Sequence, residues 1–450
     1  MKASLLLGAL IGALVTPTWG LDVDLDDSDS VDQALSLITK GLLDYYKGDD
    51  YGGTPGMFVD PYYWWEAGVA WSALIDRWAF TGNDTLNDMI VDAMQFQVGK
   101  NKDYMPSNQT MVEGNDDQGF WGIAAMEAAE RNFTNPKNDD DPGWLALAQA
   151  VFNEFVERWE PQDCYGGLRW QIYTWNNGYD YKNTVSNGCM FNLAARLYRY
   201  TGNDTYSDWA DKIWEWINKV QFVENNGATI YDGASMSDNC SDHTKIQWSY
   251  NYGLFISGAA YMYNKTEKDE WKTAVQNIWK GSSIFFNDGI MYEAACQPSD
   301  SCNNDQRCFK GIFAQFLGQV VQLVPDVADD IMKSLRSSAS AAAASCSGGS
   351  DGHTCGLNWL QSKWDGKYGL GEQISALAVI QNTLVNKAKG PLTNETGGTS
   401  KGDYNAGKES SQVSLTQNIL DISTKDRAGA GIITVLIIGG FLGTGFWMIK

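Results

Sequence analysis

The residues best equipped for chemistry stand side by side at Asp116 and Asp117, within Glu113-Gly114-Asn115-Asp116-Asp117-Gln118-Gly119-Phe120-Trp121-Gly122. Two carboxylates a few ångströms apart, with Phe120 and Trp121 beside them to exclude water, cannot both ionise easily, so one pKa rises while the other stays low. A proton donor beside an anion is what cleavage of a glycosidic bond requires, and carboxyl groups about 5 Å apart suit a retaining double displacement. A plainer reading also fits, because the helix dipole favours Asp in the first turn of any solvated helix. The apolar, Ala-rich segment from Ile123 to Ala129 follows directly. The pair therefore opens a helix, with Asn115 as expected N-cap and Gln118 as its capping-box partner.

Other chemistry is poorly supplied. The chain has two histidines, His243 and His353, each in a loop near cysteines, which gives little basis for a His-based zinc site or general base. No metal or cofactor is expected. Gly348-Gly349-Ser350-Asp351-Gly352 has the form of a nucleophile elbow but follows a Ser/Ala-rich run and no strand, and reads as a linker. A formal net charge of -22 argues against a nucleic-acid partner, whose phosphates would repel it. Aromatic residues reach 13%, with 19 Trp. That is enough both to fill a core and to offer flat rings to sugar faces.

The elements that must position the pair are helices. From Val31 onward apolar residues recur at three and four, and the spacing predicts helices at 31–46, 62–80, 85–98, 116–131, 143–159, 184–201, 205–221, 247–264, 268–283, 306–323, 326–345 and 370–387. Alternate members differ in kind. Asn187 to Ala195, Gly253 to Ala260 and Gly371 to Ala378 are apolar almost all round, whereas Asp208 to Lys219 and Lys268 to Lys280 carry a charged face. A helix apolar on every side is buried and one with a stripe lies outside. The expected fold is thus an all-α (α/α)6 toroid of six inner and six outer helices, in one domain over 21–390. Loops entering the inner helices are rich in aromatics and amides, and the toroid would gather them around Asp116 and Asp117.

Both ends carry addresses. Residues 1–20 have the charge, apolar run and small residues of a secretory signal peptide. Seven Asn-x-Ser/Thr acceptors agree with export, at Asn83, Asn108, Asn132, Asn203, Asn239, Asn264 and Asn394, as do eight cysteines. Cys296, Cys302 and Cys308 are close in sequence, as are Cys346 and Cys355, so local bridges are expected. Residues 391–427 read as a flexible polar linker, with a run of small residues at Asn405-Ala406-Gly407, and 428–450 as an apolar tail. A retained transmembrane helix and a glycosylphosphatidylinositol (GPI) anchor signal both fit the tail, and no cytoplasmic domain follows it, which favours the anchor.

Together, the double-Asp block, Gly166-Gly167-Leu168-Arg169-Trp170, Tyr181-Lys182-Asn183 with Ser186-Asn187-Gly188, Asp232-Gly233 and Trp248-Ser249-Tyr250-Asn251-Tyr252-Gly253 resemble glycoside hydrolase family 76, over about residues 30 to 390. With the sequons and terminal signals, the chain is similar to the fungal cell-wall mannosidase-like branch. The resemblance implies a retaining endo-α-1,6-mannosidase with Asp116 as nucleophile and Asp117 as acid/base. It also implies sugar contacts from Trp64, Trp170, Asn183, Asn187, Asp232, Tyr250 and Asn251. The donor would be an α-mannoside of a GPI core or of mannan, and a wall β-glucan would be the acceptor in a transfer of GPI-anchored glycoproteins. Membrane attachment would come through the enzyme's own anchor. Simple hydrolysis of α-1,6-mannan and non-catalytic glycan binding are the alternatives.

Overall fold

The computed structural model describes residues 20–138, 140–408 and 424–449. All but the last residue of the expected signal peptide, and 409–423 of the expected linker, lie outside the described residues. Twelve helices build the domain: α1 (Ser28–Leu43), α2 (Trp64–Thr81), α3 (Asn87–Phe96), α4 (Asn115–Glu130), α5 (Trp144–Arg158), α6 (Thr184–Thr201), α7 (Asp204–Lys219), α8 (Ser249–Thr266), α9 (Asp269–Gly281), α10 (Gln306–Leu323), α11 (Pro325–Ser345) and α12 (Leu370–Gln381). Each coincides with a predicted segment. The even-numbered helices pack each on the next, and α12 returns to α2, closing a ring; the odd-numbered ones lie outside it. This is the expected (α/α)6 arrangement.

The ring is tight because its helices meet through small residues. A methyl group added at Gly119 of α4 would lie 2.7 Å from Cys189 Cβ of α6, and one at Gly311 of α10 would lie 2.6 Å from Ser375 Cα of α12. Bulkier side chains would force the helices apart. All inner helices run the same way, so their N-termini share one mouth and their C-termini the opposite end. At that far end a buried polar network crosses the ring. Arg131 donates to Asp76 (3.0 Å) and Glu127 (2.8 Å), while Arg196 donates to Glu127 (2.5 Å) and Glu130 (2.6 Å). Burial alone would raise Glu127, but Arg196 and Arg131 outweigh it and hold the carboxyl at about 2.

The chain does not leave the domain at residue 390. Leu392 N donates to Glu130 O (2.8 Å) and Asn394 N to Tyr200 O (3.2 Å), sealing the far end. The segment then climbs along α5: Ala146 N donates to Lys401 O (3.2 Å), Asp403 N to Gln149 Oε1 (2.7 Å), and Asn153 Nδ2 to Tyr404 O (2.9 Å) and Ala406 O (2.8 Å). Residues 391–408 are therefore a strap, which corrects the reading of this stretch as a flexible linker. Asn405-Ala406-Gly407 is part of it. Beyond 408 a further helix, α13, covers Thr424–Ile449; among the described residues no helix is long and apolar enough to cross a membrane.

Three disulfides are present, Cys164–Cys240, Cys296–Cys302 and Cys346–Cys355, and Cys189 and Cys308 are buried thiols. None of the seven sequon asparagines is buried.

Candidate active site

A cleft of about 600 Å³ opens at the mouth, within the usual range for a ligand site. Asp116 and Asp117 both line it, from the first turn of α4. The helix starts one residue earlier than expected, with Gly114 as N-cap. Asp117 rather than Gln118 closes the turn, its Oδ2 accepting from Gly114 N (2.6 Å), and Asp116 Oδ1 accepts from Asp117 N (3.1 Å). Asn115 and Gln118 turn away to Arg158, which donates to Asn115 Oδ1 (2.6 Å) and Gln118 Oε1 (2.5 Å). That salt-bridged arginine from α5 locks the register of the first turn, and so the direction of both acids.

Burial pushes Asp117 up to about 7, opposed by the Gly114 N–H and assisted by the charge of Asp305. Burial also raises Asp116 well above the ordinary range, and the neighbouring Asp117 charge adds to it; backbone N–H groups and the amide of Asn183 pull the other way. Neither acid stays low, which corrects the expectation that only one of the two would rise, and the pair gives up its protons in two separated steps.

Of the residues for which the resemblance implies sugar contacts, Trp64, Trp170, Asn183, Asp232 and Tyr250 line the cleft. Trp170 is held by its backbone, donating to Tyr181 O (2.7 Å) and accepting from Asn115 N (2.8 Å), while the residue as a whole is 37% exposed. Trp64 stacks on Trp121 at 5.1 Å. Asn183 caps α6, its Oδ1 accepting from Ser186 N (3.2 Å). It stands at the end of a short strand, Tyr181–Asn183, paired antiparallel with Gly233–Ser235, which brings Asp232 alongside. Asp232 accepts from Tyr181 Oη (2.7 Å) and from Trp248. Tyr250 lies flat on Phe309, with ring centroids 3.8 Å apart.

Asn187 and Asn251 do not reach the cleft. Asn187 is wholly buried and clamps Leu168, accepting from its N (2.8 Å) and donating to its O (3.1 Å). It lies one turn below Asn183, too deep to touch a ligand. Asn251 is enclosed within the ring, because the residue after Tyr250 on α8 turns inward.

Other residues in the cleft were not anticipated as contacts: Tyr63, Trp65, Glu113, Tyr181, Trp248 and Asp305 among them. Asp305, at the start of α10 on the opposite side of the ring from α4, accepts from Trp65 Nε1 (3.1 Å). Glu113 is buried, and burial, with the Asp117 charge next, raises it well above the usual carboxylate range. Among the described residues, no Lys, Arg or His lines this cleft, so it favours neutral or cationic ligands over anions. No group of three or more His, Cys, Asp or Glu side chains among the described residues could hold a metal ion.

Residues 30–395 match the family model for glycosyl hydrolase family 76. The chain belongs to that family. Within family 76 it is 54% identical to the mannan endo-1,6-alpha-mannosidase DCW1 of Saccharomyces cerevisiae, over 99% of this chain and 98% of that one. It is 53% identical to DFG5 of the same yeast, which bears the same enzyme name, over 96% and 95%. Among solved structures, Dfg5 from Chaetomium thermophilum in complex with glucosamine superposes with a TM-score of 0.83 at 42% identity, covering 86% of this chain and 97% of that one. A more distant family 76 fold, the GH76A alpha-1,6-mannanase of Salegentibacter sp. HEL1_6, gives 0.64 at 18% identity over 78% and 98%.

Proposed function

We propose that the protein is a retaining α-mannosidase that cleaves α-1,6-linked or GPI-core mannosides and passes the released glycosyl unit to a wall β-glucan. One observation carries the reading: two adjacent carboxyls with raised proton affinity, Asp116 and Asp117, in an aromatic, sugar-sized cleft. The names of the relatives supply the mannoside class.

In the first step the Asp116 carboxylate attacks the anomeric carbon as the glycosidic C–O bond breaks, and the departing oxygen takes the proton of Asp117. Positive charge growing at the anomeric carbon favours the ionised form of Asp116, which leaves Asp117 to hold the proton. In the second step an acceptor hydroxyl gives its proton to Asp117 and its oxygen displaces Asp116. Water as acceptor gives hydrolysis and a glucan hydroxyl gives transfer. The trp- and tyr-lined walls, from Tyr63, Trp65, Trp170 and Trp248, offer stacking faces on which an acceptor sugar can compete with water. Attachment to the outer face of the plasma membrane through a GPI anchor, suggested by the apolar tail, would keep the enzyme beside anchored donors. Release from cells by a phospholipase specific for such anchors tests that part.

The decisive experiment supplies an α-1,6-mannoside donor with and without a β-glucan oligosaccharide and identifies products by mass spectrometry. Mannosyl-glucan adducts are expected, and free mannosides alone would reduce the reading to a hydrolase. Asp116→Asn and Asp117→Asn should each abolish turnover while circular dichroism and ligand binding persist. Activity surviving in both would show that other groups carry the chemistry and would overturn the roles given to the pair, whereas a parent protein that binds mannosides without turning them over would be a glycan-binding protein.

A further inference from the structure

Behind the cleft wall lies a buried polar cluster that the two acids do not use. Its centre is Glu293, fully enclosed, three residues before the loop closed by Cys296–Cys302. The cluster bears on a gap in α8. That helix begins at Ser249, and its N-cap is Trp248, whose side chain makes no capping bond. The first N–H groups of a helix need partners from elsewhere when buried. Glu293 supplies one from a different segment, its Oε1 accepting from Ser249 N (3.1 Å) and its Oε2 from Ser249 Oγ.

The residues flanking Ser249 are both cleft residues. Trp248 meets Phe309 edge-on with centroids 5.5 Å apart and bonds Asp232, while Tyr250 stacks on Phe309. Glu293 is itself held. Its N donates to Gln297 Oε1 (3.3 Å), and Gln297 Nε2 donates to Asn358 Oδ1 (3.1 Å). Lys310, buried one turn into α10, donates to Gln297 Oε1 (3.4 Å) and to Leu357 O, and places its ammonium 3.9 Å over the Trp359 ring. Buried polar groups of this kind gain little stability over apolar packing, and the bonds above tie the Glu293 side chain to Ser249 and its backbone to Gln297.

We infer that Glu293 is a positioning residue for the glycosidase reaction: bidentate on Ser249, it sets the start of α8 and thereby the sugar-contacting rings of Trp248 and Tyr250. The inference rests on the proposed mannoside activity, and its test separates the two. Kinetics with α-1,6-mannotriose should show KM raised about tenfold in Glu293→Leu, and roughly threefold in Glu293→Gln, which keeps one acceptor, with kcat within about twofold of the parent. The pH profile of kcat should not move, since Asp116 and Asp117 are untouched. Ser249→Ala should raise KM alone, and adding it to Glu293→Leu should bring no further rise. If Glu293→Leu does not fold, Glu293→Gln and Ser249→Ala decide the matter. A lowered Tm with unchanged KM in the folded variants would make Glu293 merely structural and overturn the inference. Absence of turnover in the parent enzyme would instead count against the proposed activity; the same comparison is then read as the Kd for mannotriose in an Asp116→Asn background, where equal affinities would also overturn it.

Discussion

Asp305 faces the acid pair from the opposite inner helix and adds its negative charge to the burial that holds Asp117 at about 7. As the proposed proton donor, Asp117 must be protonated at the start of the cycle, so activity falls as pH rises through about 7. Asp305→Asn removes a raising influence. The alkaline limb of the kcat/KM profile should therefore move to lower pH, which a pH series of initial rates will show. Glu113 offers a second reading of the same physics. Its folded pKa is raised, so whatever stability depends on its neutral form is present below the ordinary carboxyl range and lost as pH rises toward the folded value. Glu113→Gln should raise Tm at pH 8, by on the order of 2 °C, and leave it unchanged near pH 4. Neither acid was legible as a functional residue. Glu113 stood in the double-Asp block but nothing in its type showed that it would be buried. Asp305 could have been found by one rule already in use, that every inner helix points its first residues at the mouth, applied to the helix predicted at 306–323.

At the scale of elements, helix periodicity separates contacts from supports. Asn183 and Asn187 have the same side chain and stand four residues apart, yet the first caps α6 at the rim and the second, a turn into the helix, lies about 6 Å beneath it. Resemblance of motif cannot resolve this, because both residues serve the cleft: one directly, the other by clamping Leu168 two residues before Trp170. Asn187→Ala leaves the backbone of Leu168 buried without its partners, at a cost of about 2–3 kcal/mol. The expected result in thermal melts is a lower Tm, and in kinetics a higher KM as the Trp170 loop loosens. The helices themselves were readable, since inner members such as α8 and α12 are apolar almost all round and outer ones such as α7 and α9 carry a charged face. The start of α4 was misjudged by a residue because Asn115 is a good cap by type. Its amide is instead committed to the Arg169 carbonyl (2.9 Å) and to Arg158, tertiary partners that local sequence does not reveal.

Over the whole molecule, the two ends of the ring divide the labour: at the mouth a cleft lined by carboxyls and, among the described residues, by no cation, and at the base carboxyls matched by arginines. Arg196→Met should strip Glu127 and Glu130 of their main partner and destabilise the fold by about 3–5 kcal/mol, measured by denaturant unfolding. The strap finishes the base. A chain ending at 408 should melt with the full-length protein, whereas one ending at 390 should melt well below it, since the carbonyl of Glu130 and the amides of Gln149 and Asn153 lose their partners. Composition concealed this segment. Its side chains are those of a linker, and it is held largely through backbone groups, which polar, Gly-containing sequence does not advertise.

Because the strap is bonded to α5 as far as Ala406, the only residues between its end at 408 and the start of α13 are 409–423. Even drawn straight, that much chain reaches about 50 Å. A membrane joined to the chain anywhere within that stretch would lie no farther than this from the strap, so a polymer beyond that reach would have to come to the cleft.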